Sequence, residues 1–291
     1  MCNFVPHKCE KAPNGCFSFH NKKIMKLMKY VAVIPARYAS TRFPGKPLAM
    51  LGGKTVIQRV YEQVSKQMDA AWVATDDERI FDHVKSWGGN VVMTATTHKS
   101  GTDRIEEAME KIEQMGESYD VVVNVQGDEP FIQPEQIATV CRLFEDEQTQ
   151  IATLGIRFTP SDGTPAAAPS DSVAAEEAWQ RISNANSPKI VVDNNGFAMY
   201  FSRSVIPFIR GKEVAQWSDA FPFLKHIGMY AYRRNVLKEI TALPQSPLEL
   251  AESLEQLRWL QNGYRIKVGE TFTETVGIDT PADLEKAKEM L

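Results

Sequence analysis

Cysteine is scarce in this chain, with four in 291 residues. Three of them (Cys2, Cys9 and Cys16) lie within the first 28 residues, seven apart, which is not a zinc-ligand spacing. The fourth, Cys141, falls in an expected helix and reads as a packed thiol. A disulfide scaffold is therefore excluded, and such usage fits a reducing cytoplasm. Long hydrophobic runs are missing too: none approaches the ~20 residues that a membrane helix needs. No excess of positive charge exists. The net charge is −4, so nucleic-acid binding over a broad face is excluded and any anion site must be a local cluster. Two familiar phosphate loops are absent as well, G-x-x-x-x-G-K-[ST] and G-x-G-x-x-G. Residues 1–28 lack the apolar core of a signal peptide. They read as a disordered extension, or as a stretch ahead of a true start at Met25 or Met28.

What remains is ordinary for a soluble globular protein, 43% apolar and 24% charged. From residue 29 strands and helices alternate. Residues 29–34 form a strand, followed by a helix with Val56, Ile57, Val60 and Val64 on one face. "AWVAT" (71–75) and "NVVM" (90–93) are strands, with a helix between them that stops at Gly88-Gly89. Ile105, Met109 and Ile112 mark a further helix. "DVVVNV" (120–125) is apolar throughout, as expected of a strand covered on both faces. A helix over 134–144 and a strand over 151–158 follow. This βα repetition predicts a three-layer α/β fold around an open, mainly parallel, Rossmann-like sheet. The rhythm then changes. Residues 159–187 are rich in Ala, Ser, Pro and Asp and read as a partly mobile surface insertion. Residues 188–291 add β-like segments, "KIVVD", "FAMYF" and "HIGMYAY", expected as a smaller mixed-sheet extension. A helix is expected around 248–262, with Leu250, Leu254 and Leu257 as its apolar stripe. The chain thus divides into an extension (1–28) and one domain (29–291), with a first half at 29–158 and a second at 188–291.

In an open α/β sheet ligands sit beyond the carboxyl ends of the strands, where three loops carry chemistry. "VIPARYASTRFPGKPL" (33–48) gathers Arg37, Arg42 and Lys46 with two hydroxyls. Three prolines restrict the loop before any ligand arrives, and Gly45 allows close backbone approach. Side chains and backbone together would hold an anion such as phosphate. "NVQGDEPF" (124–131) presents Asp128 at a strand end, where a carboxylate can hold Mg²⁺; the bland alternative is a Gly-Asp turn. Asp279 in "GIDTP" could simply cap the next helix. Two loop acids beside a cationic loop favour a joint phosphate–metal site. "HKSGTDRI" (98–105) starts a helix with Ser100, Gly101 and Arg104, and such a start binds polar groups through free N–H donors. His226 and Tyr230 share one strand face and read as packing, while Glu255 and Gln256 read as solvated.

The blocks "IPARYASTRFPGKPL", "VATDDERI", "HKSGTDR", "VNVQGDEPFI", "YFSRSVIPF", "KHIGMYAYR", "SLEQLRWLQNGYRIKV" and "GIDTPADLEKA" together resemble sugar nucleotidyltransferases. The "RYASTR" form is similar to that of the 3-deoxy-manno-octulosonate (Kdo) cytidylyltransferases. The resemblance spans about residues 30–288; the extension has no counterpart and the insertion is longer than usual. It implies a nucleotide-diphospho-sugar transferase-like fold and Mg²⁺-dependent transfer of CMP from CTP to Kdo, for lipopolysaccharide synthesis in the cytoplasm. It implies that Arg37 and Lys46 neutralise the triphosphate and that Arg42 lies near both substrates. Pro35, Ala36, Thr75, Ser100, Gly101 and Arg104 would read the nucleoside. Asp128 and Asp279 would hold Mg²⁺. Gln126, Arg203, His226, Tyr230, Glu255 and Gln256 would contact the sugar acid. It further implies a homodimer, with no nucleic-acid or membrane partner. An 8-amino-Kdo or another ulosonic acid stays open as acceptor. A glycosyltransferase or a nucleotide sensor would suit the cationic loop and its two acids less well.

Overall fold

The computed structural model describes residues 28–158 and 172–291. Expectations for residues 1–27, including Met25 and three cysteines, and for 159–171 lie outside the described residues. Met28, expected in the extension, packs against the core. In chain order the strands are β1 (Tyr30–Ala36), β2 (Met50–Leu51), β3 (Lys54–Thr55), β4 (Ala71–Thr75), β5 (Val91–Met93), β6 (Val121–Asn124), β7 (Ile151–Arg157), β8 (Lys189–Val192), β9 (Ala198–Ser202), β10 (Leu224–Arg233) and β11 (Ile266–Glu270). The α-helices are α1 (Val56–Ser65), α2 (Glu78–Ser86), α3 (Gly101–Gln114), α4 (Pro134–Arg142), α5 (Ser172–Ser183), α6 (Trp217–Ala220), α7 (Arg234–Thr241), α8 (Pro247–Glu252), α9 (Gln256–Gln261) and α10 (Pro281–Lys288).

Alternate residues of a strand face opposite sides of its sheet, and the core follows that rule. Ala32 and Ile34 of β1 join Val60 of α1, Ile80 of α2 and Ile137 of α4 in one apolar cluster. Val31 and Val33 join Ile105 and Met109 of α3, Leu237 of α7 and Leu257 of α9 in the other. The expected three layers result. β6, β1, β4 and β5 are parallel neighbours in that order, which aligns their carboxyl ends on one edge. Cys141 is buried in the first cluster, and burial pushes its thiol up to about 12.

Three features differ from the sequence reading. β8 and β9 do extend the sheet, but β10 lies inside it, antiparallel between β6 and β7. His226 and Tyr230 on this strand do face packed neighbours, as their shared strand face suggested. The single helix expected over 248–262 is two. Ser253 adopts φ 50°, ends α8 and turns the chain before α9. Leu250 is consequently 61% exposed, while Leu254 and Leu257 stay buried. Of the expected insertion, α5 is a packed helix. Ile182 is buried against Trp217 and Phe223, and Trp179 meets Trp217 edge-on at 5.5 Å. Burying one such aliphatic side chain is worth roughly 1.5–3 kcal/mol, enough to anchor a short helix.

Candidate active site

The carboxyl edge of β6-β1-β4-β5 opens into a cleft of about 250 Å³. Its lining includes Pro35, Ala36, Arg37, Ser40, Arg42 and Lys46 from the β1 loop. Ser100, Gly101 and Arg104 come from the start of α3, and Gln126, Gly127 and Asp128 from the end of β6. Asp279 and His98 line the cleft as well. Most of the expected site residues are therefore brought together.

The loop after β1 is held in shape by packing as well as by its prolines. Gly45 stands at φ 72°, and its N–H donates to the Tyr38 carbonyl at 2.9 Å. A Cβ there would come within 3.0 Å of the Tyr38 ring, so the position requires glycine twice over. The Arg79 guanidinium lies 3.3 Å from the centre of that ring, a cation–π contact. Asp77 fixes Arg79 through a pair of hydrogen bonds of 2.9 and 2.7 Å. Those bonds hold the Asp77 carboxyl below its usual range. The chain then makes a single 3-10 turn, Lys46–Leu48, which presents Lys46.

Lys46 Nζ donates to Asp128 Oδ2 at 2.6 Å and to Asp279 Oδ1 at 3.1 Å. Arg42 reaches Asp279 Oδ2 at 3.1 Å. Arg37 is exposed at the rim. The two acids meet because two backbones approach closely. A Cβ on Gly127 would stand 2.6 Å from the Pro35 carbonyl, so only glycine lets the β6 loop lie against the end of β1. The Ile278 N–H donates to the Asp128 carbonyl at 2.8 Å, which delivers Asp279 beside Asp128. Asp279 is not the helix cap. Thr280 and Asp283 form the capping box of α10 and leave the Asp279 carboxylate to the cleft. Two carboxylates thus converge on one cationic point, here the Lys46 ammonium. Among the described residues no group of three or more His, Cys, Asp or Glu could form a metal cage. Two acids suit Mg²⁺, which takes one or two carboxylates and completes its shell with phosphate oxygens and water.

At the other end of the cleft, Ser100 caps α3 in a reciprocal box with Asp103. Arg104 is 4% exposed; it donates to Asp76 Oδ2 at 2.7 Å and to Thr94 Oγ1 at 2.6 Å. Thr75 is not in the cleft. It is fully buried, and its hydroxyl accepts from the Asp77 N–H at 3.3 Å, so it shapes the turn instead. His98 lines the cleft with its Nε2 against Glu107. Burial raises the Glu107 carboxyl, but hydrogen bonds from Lys111, Ala95 N–H and His98 outweigh it and bring the group to about 2.

The residues expected at the sugar acid divide. Gln126 lines the cleft and donates weakly to the Gly228 carbonyl at 3.4 Å. Tyr230 packs edge-on against Trp259 and is tilted against His226. His226 meets Thr153 Oγ1 at 3.2 Å, and packing of its ring pushes the imidazole down to about 3, so it is neutral. Glu255 and Gln256 are not solvated. Glu255 takes bonds from Thr102 and Arg258 at 3.0 and 2.7 Å, and burial raises its carboxyl. The Tyr230 hydroxyl and Gln256 Nε2 are buried without protein partners, as polar atoms awaiting a ligand or water would be. Arg203 departs from the expectation. Its guanidinium is taken by the backbone carbonyls of Ala185, Glu252 and Ser253 at 2.9, 2.6 and 3.3 Å, so it braces the break after α8.

Sequence reasoning missed Tyr38, Asp76, Asp77, Arg79, Thr94 and His98. The signal was present in "TDDER" after β4, where acids crowd the same sheet edge as the cationic loop.

A three-layer α/β sheet with a rigid cationic loop and two acids at its carboxyl edge defines a nucleotide-handling class of protein. The sequence model of the cytidylyltransferase family matches residues 31–268. A 3-deoxy-manno-octulosonate cytidylyltransferase of Bacteroides thetaiotaomicron is 61% identical over 264 residues, covering 91% of this chain and 98% of its own. That of Porphyromonas gingivalis is 51% identical over 88% of this chain and 94% of its own. The solved structure of a CMP:2-keto-3-deoxy-manno-octonic acid synthetase complexed with CTP superposes with a TM-score of 0.77. It is 39% identical and covers 90% of this chain and 98% of that one. The chain belongs to the cytidylyltransferase family, within its 3-deoxy-manno-octulosonate cytidylyltransferases.

Proposed function

We infer that the protein transfers CMP from CTP to the anomeric hydroxyl of Kdo, releasing pyrophosphate. The observation that carries this reading is the meeting of Lys46 and Arg42 with Asp128 and Asp279 at one point of the cleft, in a chain of this family. The acceptor oxygen bonds to the α-phosphorus, the bond from that phosphorus to the bridging oxygen breaks, pyrophosphate leaves with the bond's electrons, and the hydroxyl proton passes to water. No covalent enzyme intermediate is needed. The protein contributes position and charge neutralisation.

In our proposal Arg37, Arg42 and Lys46 take the triphosphate, which draws Lys46 and Arg42 away from the acids. Asp128 and Asp279 then hold Mg²⁺. A bound ion there would neutralise charge on the leaving pyrophosphate and make the sugar hydroxyl more acidic. The backbone of Pro35 and Ala36, with Ser100 and Gly101, borders the nucleoside. Gln126, Tyr230, Glu255 and Gln256 receive the sugar acid beside neutral His226. The 8-amino acceptor finds no feature in its favour. The protein acts as a homodimer through the face that exposes Phe208 (74%) and Val214 (45%) beside Trp217. It works in the cytoplasm; no helix among the described residues is long and apolar enough to cross a membrane.

A pyrophosphate-release assay with Kdo and each of the four ribonucleoside triphosphates, with and without Mg²⁺, tests the reading. Release with CTP alone, abolished by chelator, is expected. Equal release with UTP, or CTP binding with no release, would overturn it.

A further inference from the structure

We propose that Asp76 is a positioning residue for recognition of cytosine, acting through Arg104. The inference deepens the reading above and rests on it. Two ends of the cleft differ in how their cations are held. Lys46 and Arg42 lie on the β1–β6 side, against acids 32% and 47% exposed, where a polyphosphate can compete for them. Arg104 lies on the β4–β5 side. Its partners follow those strands directly, Asp76 after β4 and Thr94 after β5. The pair is nearly closed to solvent, with side chains 4% and 14% exposed.

This geometry decides what Arg104 can do. A guanidinium whose charge is offset by a buried carboxylate at 2.7 Å is a poor neutraliser of phosphate. It keeps further N–H donors in a planar fork, and the fork is fixed at two corners by Asp76 and Thr94. A fixed fork of donors fits a neutral edge that carries two adjacent acceptors. Cytosine offers such an edge in O2 and N3. Uracil carries a proton on N3, so one donor of the fork would face another donor. A site whose buried donors are left unpaired rejects the wrong partner strongly. Asp76 does not itself line the cleft; its contribution is to stop the fork from turning. With the carboxylate removed, Arg104 gains freedom and net charge, and both weaken the distinction between the two bases.

Thr75 and Asp77 flank Asp76 in the same turn, and Asp77 orients Arg79 over Tyr38 of the cationic loop. The turn after β4 therefore braces both ends of the cleft with adjacent acids, Asp76 for the base and Asp77 for the phosphate loop.

The test is calorimetric titration of the full chain with CTP and with UTP in Mg²⁺ buffer, for the native protein and for Asp76→Asn, Asp76→Ala and Arg104→Lys. The ratio of the two dissociation constants is the readout, because a merely structural defect weakens both nucleotides alike. The expected order of loss is graded. Asp76→Asn, which keeps an acceptor, lowers the CTP preference by a few fold, and Asp76→Ala lowers it roughly tenfold or more. Arg104→Lys abolishes most of it. If Asp76→Ala does not fold, Thr94→Val removes the other corner and is expected to act in the same direction. A preference lost in Arg104→Lys but intact in both Asp76 variants overturns the proposal and leaves the base-reading role of Arg104 standing. A preference intact in Arg104→Lys overturns that role itself. Equal weakening of CTP and UTP by the Asp76 variants makes Asp76 structural and also overturns the proposal.

Discussion

The two groups of residues proposed for the nucleotide and for the acceptor are built differently. The nucleotide half presents its chemistry from loops at the ends of parallel strands, so Arg42, Lys46, Asp128 and Asp279 stay solvent-accessible and pair with one another. The proposed acceptor half stands on the face of an internal strand and at the start of a short helix, and the residues there do not line the cleft itself. There His226 and Tyr230 lie among aromatic rings, and Tyr230 and Gln256 each keep a buried polar atom without a protein partner. In the proposed reaction the first half handles the charge of a flexible polyanion. The second meets a polyol that carries a single carboxylate, for which directional hydrogen-bonding groups discriminate better than bulk charge.

The comparison predicts unequal responses to mutation. The largest concerns Asp128. Asp128→Ala removes one of the two acids proposed to hold Mg²⁺, and turnover should fall on the order of 10³-fold or more. The melting temperature should hardly change or should rise, since an acid 32% exposed contributes little to stability through its ion pair. Stopped turnover in a normally folded protein, measured by pyrophosphate release and thermal melts, is the expected pair of results. Near-native turnover at saturating Mg²⁺ would remove Asp128 from the metal site.

The acceptor half should answer in binding. Gln256→Leu deletes a buried amide that has no protein partner for its Nε2. The apparent KM for Kdo should rise roughly 10-fold to 100-fold, with KM for CTP unchanged. Stability should hold or improve, because an unpartnered buried polar group is costly to fold around. A parallel rise in both KM values would mean that Gln256 supports the fold and does not touch the acceptor.

The same contrast explains what the sequence disclosed. The βα rhythm, the cationic loop and both acids were legible because strand–loop–helix order alone brings loop residues to one edge of a parallel sheet. Asp279 was legible only jointly with Asp128, since "DTP" also reads as a cap and the hydrogen bond that assigns the cap to Thr280 is not written in the spacing. The acceptor half was opaque to periodicity. "HIGMYAY" reads as part of a mixed-sheet extension, yet β10 is internal; the shared face of His226 and Tyr230 reads as packing, and periodicity alone carries no hint of a ligand there. Glu255 and Gln256 fall off the Leu stripe only if the helix is continuous; the left-handed Ser253 breaks it and turns them inward. Resemblance to a family supplied those residues where pattern could not. It also supplied Arg203, whose guanidinium the structure finds engaged with backbone carbonyls.

The smallest expected effect is a pH dependence of stability that distinguishes the halves. In the acceptor half the packed His226 is held neutral, its pKa pushed down to about 3 by burial from an ordinary 6.5. A base with a lowered folded pKa binds its proton more readily in the unfolded chain. Between about pH 6.5 and pH 3 the unfolded state therefore carries the extra proton, and stability falls as pH falls, by at most ~1.4 kcal/mol per pH unit. Glu107, on the nucleotide side, is brought down to about 2 from an ordinary 4.5. Its contribution is present above pH 4.5 and is lost only on further acidification towards pH 2. Denaturant titrations from pH 7.5 to 4.5 should thus show a slope that His226→Gln flattens and Glu107→Gln leaves in place. A slope over that range that survives His226→Gln unchanged would show that the imidazole is not the group being kept neutral.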